Sequence, residues 1–187
     1  MNRTPRPTIL CVDDERIVLA SLKNELRAQL GPEIRIETAA SGEEALQVLS
    51  DLEADSSPLS LVISDVRMPG MFGDALLAAV HERSPDTLNI LLTGFADLEA
   101  ITNAVNKAGL FRYIGKPWRR EDLILTVRAA LRAWTAEILV REKTEAIETI
   151  TVAMVAALEN ANLANDEETG LHVRRVGEYS AIIAEGL

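Results

Sequence analysis

Residues 60–73 read Ser-Leu-Val-Ile-Ser-Asp-Val-Arg-Met-Pro-Gly-Met-Phe-Gly. The apolar run Leu61-Val62-Ile63 predicts a short strand that is buried on both faces and brings Asp65 to its carboxyl end. The proline and glycines that follow predict a turn before the next helix. Because ligands of open parallel sheets bind outside the carboxyl ends of the strands, Asp65 is a candidate for a functional site. Taken alone, this residue is equally well explained as the cap of a turn.

The chain up to about residue 117 alternates short apolar runs with longer helical patterns. The apolar runs predict strands at 8–12, 34–38, 61–63, 88–92 and 111–114, and the second lies near an edge of the sheet because its side chains alternate. Ser41-Gly-Glu-Glu44 predicts a capping box at the start of a helix. Five strands that alternate with helices predict an α/β fold with a five-stranded, doubly wound parallel sheet.

Composition narrows the range of partners. Of 187 residues, 48% are hydrophobic, and 29 acidic residues outweigh 19 basic ones to give a formal net charge of −10. This charge argues against nucleic acid or an anionic membrane as the main partner. Cys11 is the only cysteine and lies in an apolar run, which predicts a small core residue and neither a disulfide nor a cysteine zinc cluster. The chain shows no signal-peptide core, and the apolar stretch 147–158 is too short to span a bilayer, so we expect a cytoplasmic protein.

The composition of the sequence changes at Arg119, after which neither glycine nor proline occurs until Gly170. Such an interval predicts one helix much longer than average. The apolar residues follow the three-four spacing of a coiled-coil seam, broken through the polar segment 141–145: Ile124, Val127, Leu131, Trp134, Ile138, Ile147, Thr151, Met154 and Leu158. We expect this stripe to pack against the same helix of a second copy, in a parallel homodimer through residues 119–160. The stripe alone suits an antiparallel pair equally well.

Chemically active side chains stand at the ends of four of the predicted strands: Asp13 and Asp14, Asp65, Thr93, and Lys116. Three carboxylates that converge at one edge repel one another unless a cation lies among them, and oxygen ligands favour Mg²⁺. Lys116 and the Thr93 hydroxyl would bind phosphate oxygens, with Asp65 as the nucleophile that forms an acyl phosphate. Each residue also has a plainer interpretation, the aspartates as helix caps and the lysine as an ordinary solvated side chain. Their joint occurrence favours a site for phosphoryl transfer.

These residues give the chain a resemblance, from residue 8 to about 130, to the receiver domain of two-component response regulators. The matching motifs are the acidic pair Asp13-Asp14, the run from Asp65 to Gly73, Thr93-Gly94, and Tyr113-Ile-Gly-Lys116-Pro117. The resemblance implies a flavodoxin-like receiver over residues 8–122, after a flexible segment 1–7. The long helix predicted from the glycine-free and proline-free interval is then a transmitter helix over residues 119–162, continuous with the last receiver helix.

The same resemblance implies a role for each site residue. Asp65 would accept a phosphoryl group from a phosphohistidine of a sensor histidine kinase. Mg²⁺ would be held by Asp14, Asp65 and the backbone carbonyl of Arg67, with Asp13 acting through water. Thr93 and Tyr113 would form the switch pair, in which the hydroxyl moves to the phosphoryl group and the aromatic ring turns inward.

A second resemblance lies near the carboxyl end. Segments 157–160 and 166–180 are similar to the opening of an HD-GYP domain, a family that hydrolyses cyclic di-GMP at a site with two or three metal ions. Glu168 and His172 are four residues apart, hence on one helix face, and would be metal ligands; the plainer interpretation is an exposed acid and a partly buried histidine. His81 is the only other histidine, so we expect residues 163–187 to be a truncated domain start that does not hydrolyse cyclic di-GMP. This segment would leave an apolar face without a partner, formed by Val176, Tyr179, Ile182, Ile183 and Leu187.

The sequence therefore predicts a phosphorylation-dependent response regulator that passes its signal through a dimeric coiled-coil helix to an output domain. An alternative of another class is a fragment of a metal-dependent cyclic di-GMP phosphodiesterase. A receiver that acts by protein contact without phosphorylation is a third interpretation, and the complete set of acids, threonine and lysine argues against it.

Overall fold

Strands and helices alternate along the part of the chain that the computed structural model describes, which comprises residues 6–94, 97–165 and 167–185. The elements are β1 (Thr8–Val12), α1 (Arg16–Leu30), β2 (Arg35–Ala39), α2 (Gly42–Ala54), β3 (Leu59–Asp65), α3 (Gly73–Arg83), β4 (Leu88–Thr93), α4 (Leu98–Lys107), β5 (Leu110–Gly115), α5 (Arg120–Asn165) and α6 (Glu167–Glu185). Most of the segment 1–7, predicted to be flexible, lies outside this description. So does Ala96, where the sequence predicts the start of the fourth helix.

The five strands form one parallel sheet in the order β2-β1-β3-β4-β5. This confirms the predicted α/β fold class and the edge position of the second strand. β3 pairs with β1 and β4, and all seven of its residues are buried, as expected for a strand covered on both faces. It is longer than the three apolar residues suggest, and Asp65 is its last residue. The strand itself therefore fixes the position of the candidate nucleophile.

The predicted capping box begins α2. Ser41 is the N-cap residue, and its Oγ accepts a hydrogen bond of 3.1 Å from the Glu44 backbone N–H. The Glu44 carboxylate reaches back to the N–H of Ala40, at 2.6 Å, one residue before the cap. Two N–H groups at the start of the helix thus find acceptors, which fixes where the chain leaves β2.

Helices cover both faces of the sheet with two separate hydrophobic clusters. One cluster joins the sheet to α1 and α5, through residues that include Leu22, Leu26 and Val127. The other joins the opposite face to α2, α3 and α4, through residues that include Leu49, Leu77 and Ala104. Burial of each large aliphatic side chain stabilises the fold by about 1.5–3 kcal/mol. The strand ends at the carboxyl edge are held between these two layers.

The first half of the predicted coiled-coil seam packs into the core of the α/β domain. Ile124, Val127 and Leu131 belong to the cluster under α1, and Trp134 is only 1% exposed. The interpretation of these residues as a dimer seam is therefore wrong. A helix that packs on a sheet and a helix that packs on another helix both need apolar residues at three-four spacing, so the pattern alone does not distinguish them. The α/β core consequently continues well past residue 122, and α5 confirms the predicted long helix.

The chain divides into two compact units at Ala136 and Glu137. The second unit contains the later part of α5 together with α6, and residues of both helices line a shared groove, among them Val152, Val155 and Val176. A Cβ atom at Gly177 of α6 would lie 2.2 Å from the Glu159 carboxylate of α5, so the two helices approach closely there. Val176, Tyr179 and Ile182 are at least half exposed, as predicted. The side chains of Glu168, His172, Ile183 and Leu187 lie outside the described residues.

No helix in the described ranges is long and apolar enough to cross a bilayer.

The side chain of Cys11 is fully buried in the core beneath α1, as its apolar run predicts. Burial raises the pKa of this thiol to about 12, against a smaller lowering effect of the Lys23 charge. Cys11 therefore remains a protonated, unreactive core residue at neutral pH.

Candidate functional site

The structure brings three of the predicted site residues into direct contact at the carboxyl edge of the sheet. Lys116 follows β5, and its Nζ lies 2.8 Å from Oδ2 of Asp13 and 2.5 Å from Oδ1 of Asp65. Asp13 follows β1 and is fully buried, whereas Asp65 at the end of β3 retains 8% of its surface. The parallel order of β1, β3, β4 and β5 thus gathers residues that are far apart in sequence, as predicted.

Each of the two carboxylates is also held by a backbone N–H group. Oδ1 of Asp13 accepts a hydrogen bond of 2.9 Å from the N–H of Glu15, and Oδ2 of Asp65 accepts one of 3.0 Å from the N–H of Arg67. In both residues one oxygen faces the backbone and the other faces Lys116. Glu15 is the N-cap residue of α1 and makes no side-chain cap, so Asp13 orders the turn before the helix in addition to binding Lys116.

The charge of Lys116 balances this pair. Partial burial alone would lower the pKa of the ammonium group, but hydrogen bonds and charge attraction from Asp13 and Asp65 outweigh it and raise the pKa above its usual value of 10.5. Lys116 therefore stays charged throughout the physiological range. Asp14, by contrast, is exposed to solvent beside Asp13.

Thr93 and Tyr113, the predicted switch pair, stand in different environments. Thr93 ends β4 and is only 4% exposed, while the Tyr113 side chain on the edge strand β5 is 56% exposed. The aromatic ring of Tyr113 thus lies on the solvent side in this structure. The Thr93 hydroxyl lies 2.9 Å from the backbone carbonyl of Gly94 and 3.2 Å from Oδ2 of Asp97.

Asp97 is a site residue that the sequence analysis misses. Its carboxylate accepts hydrogen bonds from the Gly94 N–H at 2.9 Å and from Nε of Arg67 at 2.8 Å, besides the contact with Thr93. Desolvation opposes its ionisation, but these hydrogen bonds and the Arg67 charge hold the pKa of the carboxyl below its usual value of 3.8. Its position as the N-cap residue of α4, where aspartate is common, is the sequence signal that points to it. Its link to Arg67, thirty residues away, requires the fold.

Gly73 lets the chain pass close beneath the candidate nucleophile. It begins α3, and its N–H donates a hydrogen bond of 2.9 Å to the carbonyl of Val66. A Cβ atom at this position would lie 1.9 Å from the backbone oxygen of Asp65, far inside any permitted contact. Only glycine therefore fits the turn that supports Asp65.

Comparison with known proteins agrees with this geometry. Residues 9–128 match the family model of the response regulator receiver domain, and the chain belongs to that family. Residues 9–128 are the receiver domain of a two-component response regulator.

Among curated relatives, the hydrogenase transcriptional regulatory protein HoxA of Cupriavidus necator is 40% identical over 126 residues, which are 67% of this chain and 24% of HoxA. The DNA-binding transcriptional regulator NtrC of Escherichia coli K12 is 32% identical over 126 residues, or 67% of this chain and 25% of NtrC. The chain thus matches about a quarter of the length of these relatives.

A solved structure of the signal receiver domain of an HD domain-containing protein from Pseudomonas fluorescens Pf-5 is 36% identical. It aligns with a TM-score of 0.64 over 73% of this chain and 95% of that chain.

Substitution of Gly73 by alanine tests the close packing under Asp65. The added methyl group must displace the β3–α3 backbone, so we expect Gly73→Ala to lower the free energy of unfolding by about 2 kcal/mol, as overpacking does. Chemical denaturation followed by circular dichroism measures this change. Gly115→Ala is the matched control, because a Cβ atom there meets nothing within 4 Å. Equal stability of the two variants would contradict the packing described here.

Proposed function

We propose that this chain is a phosphorylation-dependent response regulator in which Asp65 accepts a phosphoryl group from a sensor histidine kinase. The observation that carries the proposal is the contact of 2.5 Å between Lys116 Nζ and Asp65 Oδ1 at the open edge of the sheet. A carboxylate held in this way is fixed in position yet still reachable, since the Asp65 side chain keeps 12% of its surface. Receiver domains as a class receive phosphoryl groups from sensor histidine kinases.

The site residues divide the reaction between them. A carboxylate oxygen of Asp65 attacks phosphorus, the new oxygen–phosphorus bond forms, and the phosphorus–nitrogen bond to the kinase imidazole breaks. Lys116 supplies positive charge to the phosphoryl oxygens, and the Arg67 N–H keeps the Asp65 carboxylate oriented. Thr93 is the hydroxyl donor that we expect at a phosphoryl oxygen, with Tyr113 following it inward.

The donor set at the edge suits Mg²⁺. It consists entirely of oxygen atoms: the carboxylates of Asp13, Asp14 and Asp65 and the backbone carbonyl of Arg67. Mg²⁺ prefers such oxygen donors and keeps several of its own waters, so a few protein ligands are enough to hold it. When bound, Mg²⁺ neutralises negative charge on the phosphoryl oxygens.

We further propose that the later part of α5 transmits the signal as a homodimer. With the residues up to Trp134 buried in the receiver core, the available part of the predicted 119–160 seam is the segment that carries Ile147, Met154 and Leu158, each at least 60% exposed. Apolar side chains this exposed on one helix are stabilised when a second copy covers them. A parallel pair follows our expectation from the sequence.

A second candidate function concerns the output domain. We propose that residues 163–187 begin an HD-GYP phosphodiesterase domain, with Glu168 and His172 as metal ligands. The similarity to a receiver domain from an HD domain-containing protein supports this assignment. HoxA and NtrC, which are transcriptional regulators, each match this chain over 126 residues.

Phosphorylation is tested by intact mass after incubation with Mg²⁺ and acetyl phosphate. We expect wild type to gain one phosphoryl group and Asp65→Asn to gain none, because the amide is not a nucleophile of this kind. Removal of Mg²⁺ with a chelator should abolish the gain. Asp55→Asn, which changes an exposed aspartate outside the site, is the control and should behave as wild type. A wild type that gains nothing, even from a phosphorylated histidine kinase, would favour a receiver that acts by contact alone.

The dimer is tested by light scattering. We expect wild type to show twice the chain mass of 20.4 kDa and Met154→Lys to show the monomer mass, because the lysine places a charge in the seam. Thr149→Lys adds the same charge on the opposite face of α5 and should leave the dimer intact. A wild type that remains monomeric at every concentration would exclude the proposed transmission.

Metal titration tests the output-domain assignment. Two ligands from one helix make a partial site, so with the Asp65 site saturated by Mg²⁺ we expect weak binding of Mn²⁺ to the purified chain and still weaker binding to His172→Asn. His81→Asn, at the other histidine, should bind as wild type does. Equal binding by wild type and His172→Asn would remove His172 from the list of ligands.

A further inference from the structure

The β4–α4 turn contains a carboxylate with three donors. Asp97 accepts from Arg67 Nε on one oxygen, at 2.8 Å, and from the Gly94 N–H and the Thr93 hydroxyl on the other, at 2.9 and 3.2 Å. Only 7% of its side-chain surface is exposed. Hydrogen bonds to a charged group in such a place are stronger than average, so Asp97 is well fixed.

The contact with Thr93 bears on the proposed reaction. A threonine hydroxyl has one hydrogen to donate, and here the hydroxyl oxygen lies 2.9 Å from the Gly94 carbonyl oxygen and 3.2 Å from Oδ2 of Asp97, both of which accept that hydrogen. To donate to a phosphoryl oxygen on Asp65, Thr93 must take its hydrogen away from these acceptors. Asp97 therefore competes with the phosphoryl group for the same hydrogen.

Arg67 gives Asp97 a second connection to the site. The backbone N–H of Arg67 binds the Asp65 carboxylate, while its side chain, 69% exposed, binds Asp97. A single residue thus joins the candidate phosphoacceptor to the carboxylate that holds Thr93. Because Asp97 is the N-cap residue of α4, its contacts also position the start of that helix.

We propose that Asp97 is a positioning residue that holds the Thr93 hydroxyl in the resting geometry and so opposes the phosphorylated state. The inference rests on the proposed function of Asp65 as phosphoacceptor. In this role Asp97 shifts the equilibrium between the resting and the phosphorylated geometry toward the resting one. A receiver without the Asp97 carboxylate would therefore adopt the phosphorylated geometry more easily.

Binding of beryllofluoride in the presence of Mg²⁺ tests this inference, because this ion adds to a carboxylate as an analogue of a phosphoryl group and its affinity is an equilibrium quantity. We expect Asp97→Ala to bind it on the order of tenfold more tightly than wild type, the effect of one charge-assisted hydrogen bond that no longer competes. Asp97→Asn keeps an oxygen acceptor and should show a smaller gain. Calorimetry and fluorine NMR measure the affinities.

A double-mutant cycle separates this role from a general structural one. In a Thr93→Val background Asp97→Ala should no longer change the affinity, because the hydroxyl through which it acts is absent. Asp74→Ala is the matched control: Asp74 and Asp97 line one surface depression, but the Asp74 carboxylate accepts a hydrogen bond of 3.1 Å from Nδ2 of Asn103. It should bind as wild type does.

Two failures are distinguishable. If wild type binds beryllofluoride through Asp65, and Asp97→Ala and Asp97→Asn bind it equally or more weakly, the role of Asp97 is excluded and the phosphoacceptor stands. The role is likewise excluded if Asp97→Ala keeps its full effect in the Thr93→Val background. If wild type neither binds beryllofluoride nor takes up a phosphoryl group, the proposed function itself is excluded, and the inference with it.

Discussion

The Lys116 ammonium group between Asp13 and Asp65 is the interaction on which the rest of the site depends. Two carboxylates at the ends of neighbouring strands would repel one another, and one of them is fully buried. A single cation that reaches both carboxylates offsets this repulsion and holds them close together. The three residues come from three strands, so the arrangement exists only when the parallel sheet is complete. The geometry of the site at this edge therefore depends directly on correct folding of the sheet.

Around this centre the supporting residues are backbone groups and small side chains. Gly73 passes under Asp65, and the N–H groups of Glu15 and Arg67 orient the two carboxylates. The buried β3 leaves little freedom in the position of Asp65, which is held from three directions. The side-chain hydrogen bonds of Thr93 and Asp97, by contrast, are made outside the hydrogen-bond ladder of the sheet. The switch proposed above needs this combination of a carboxylate in a fixed position and a hydroxyl that can change its hydrogen-bond partner.

Much of the fold and of the central site follows from the sequence, for physical reasons. Buried parallel strands need short apolar runs, and such runs mark all five strands here; polar residues at their carboxyl ends then converge by geometry. Asp97 is not predicted in this way because it lies four residues beyond the end of β4. Its contacts with Arg67, after β3, and with Thr93 depend on how the β3–α3 and β4–α4 connections pack together. The spacing of Ile124 to Trp134 misleads for another reason: a helix that covers a sheet repeats its apolar residues as a paired helix does. Burial, which requires the fold, separates the two cases.

The single cysteine has a practical consequence. Cys11 is buried in the core as a protonated thiol, so thiol-specific reagents will not modify it in the native protein. A cysteine introduced anywhere on the surface then becomes the one reactive position, without removal of the natural residue. Pairs of spin labels or fluorophores placed along α5 would report distances directly. Site-specific labelling of this chain therefore allows direct spectroscopic measurement of how its long helix associates.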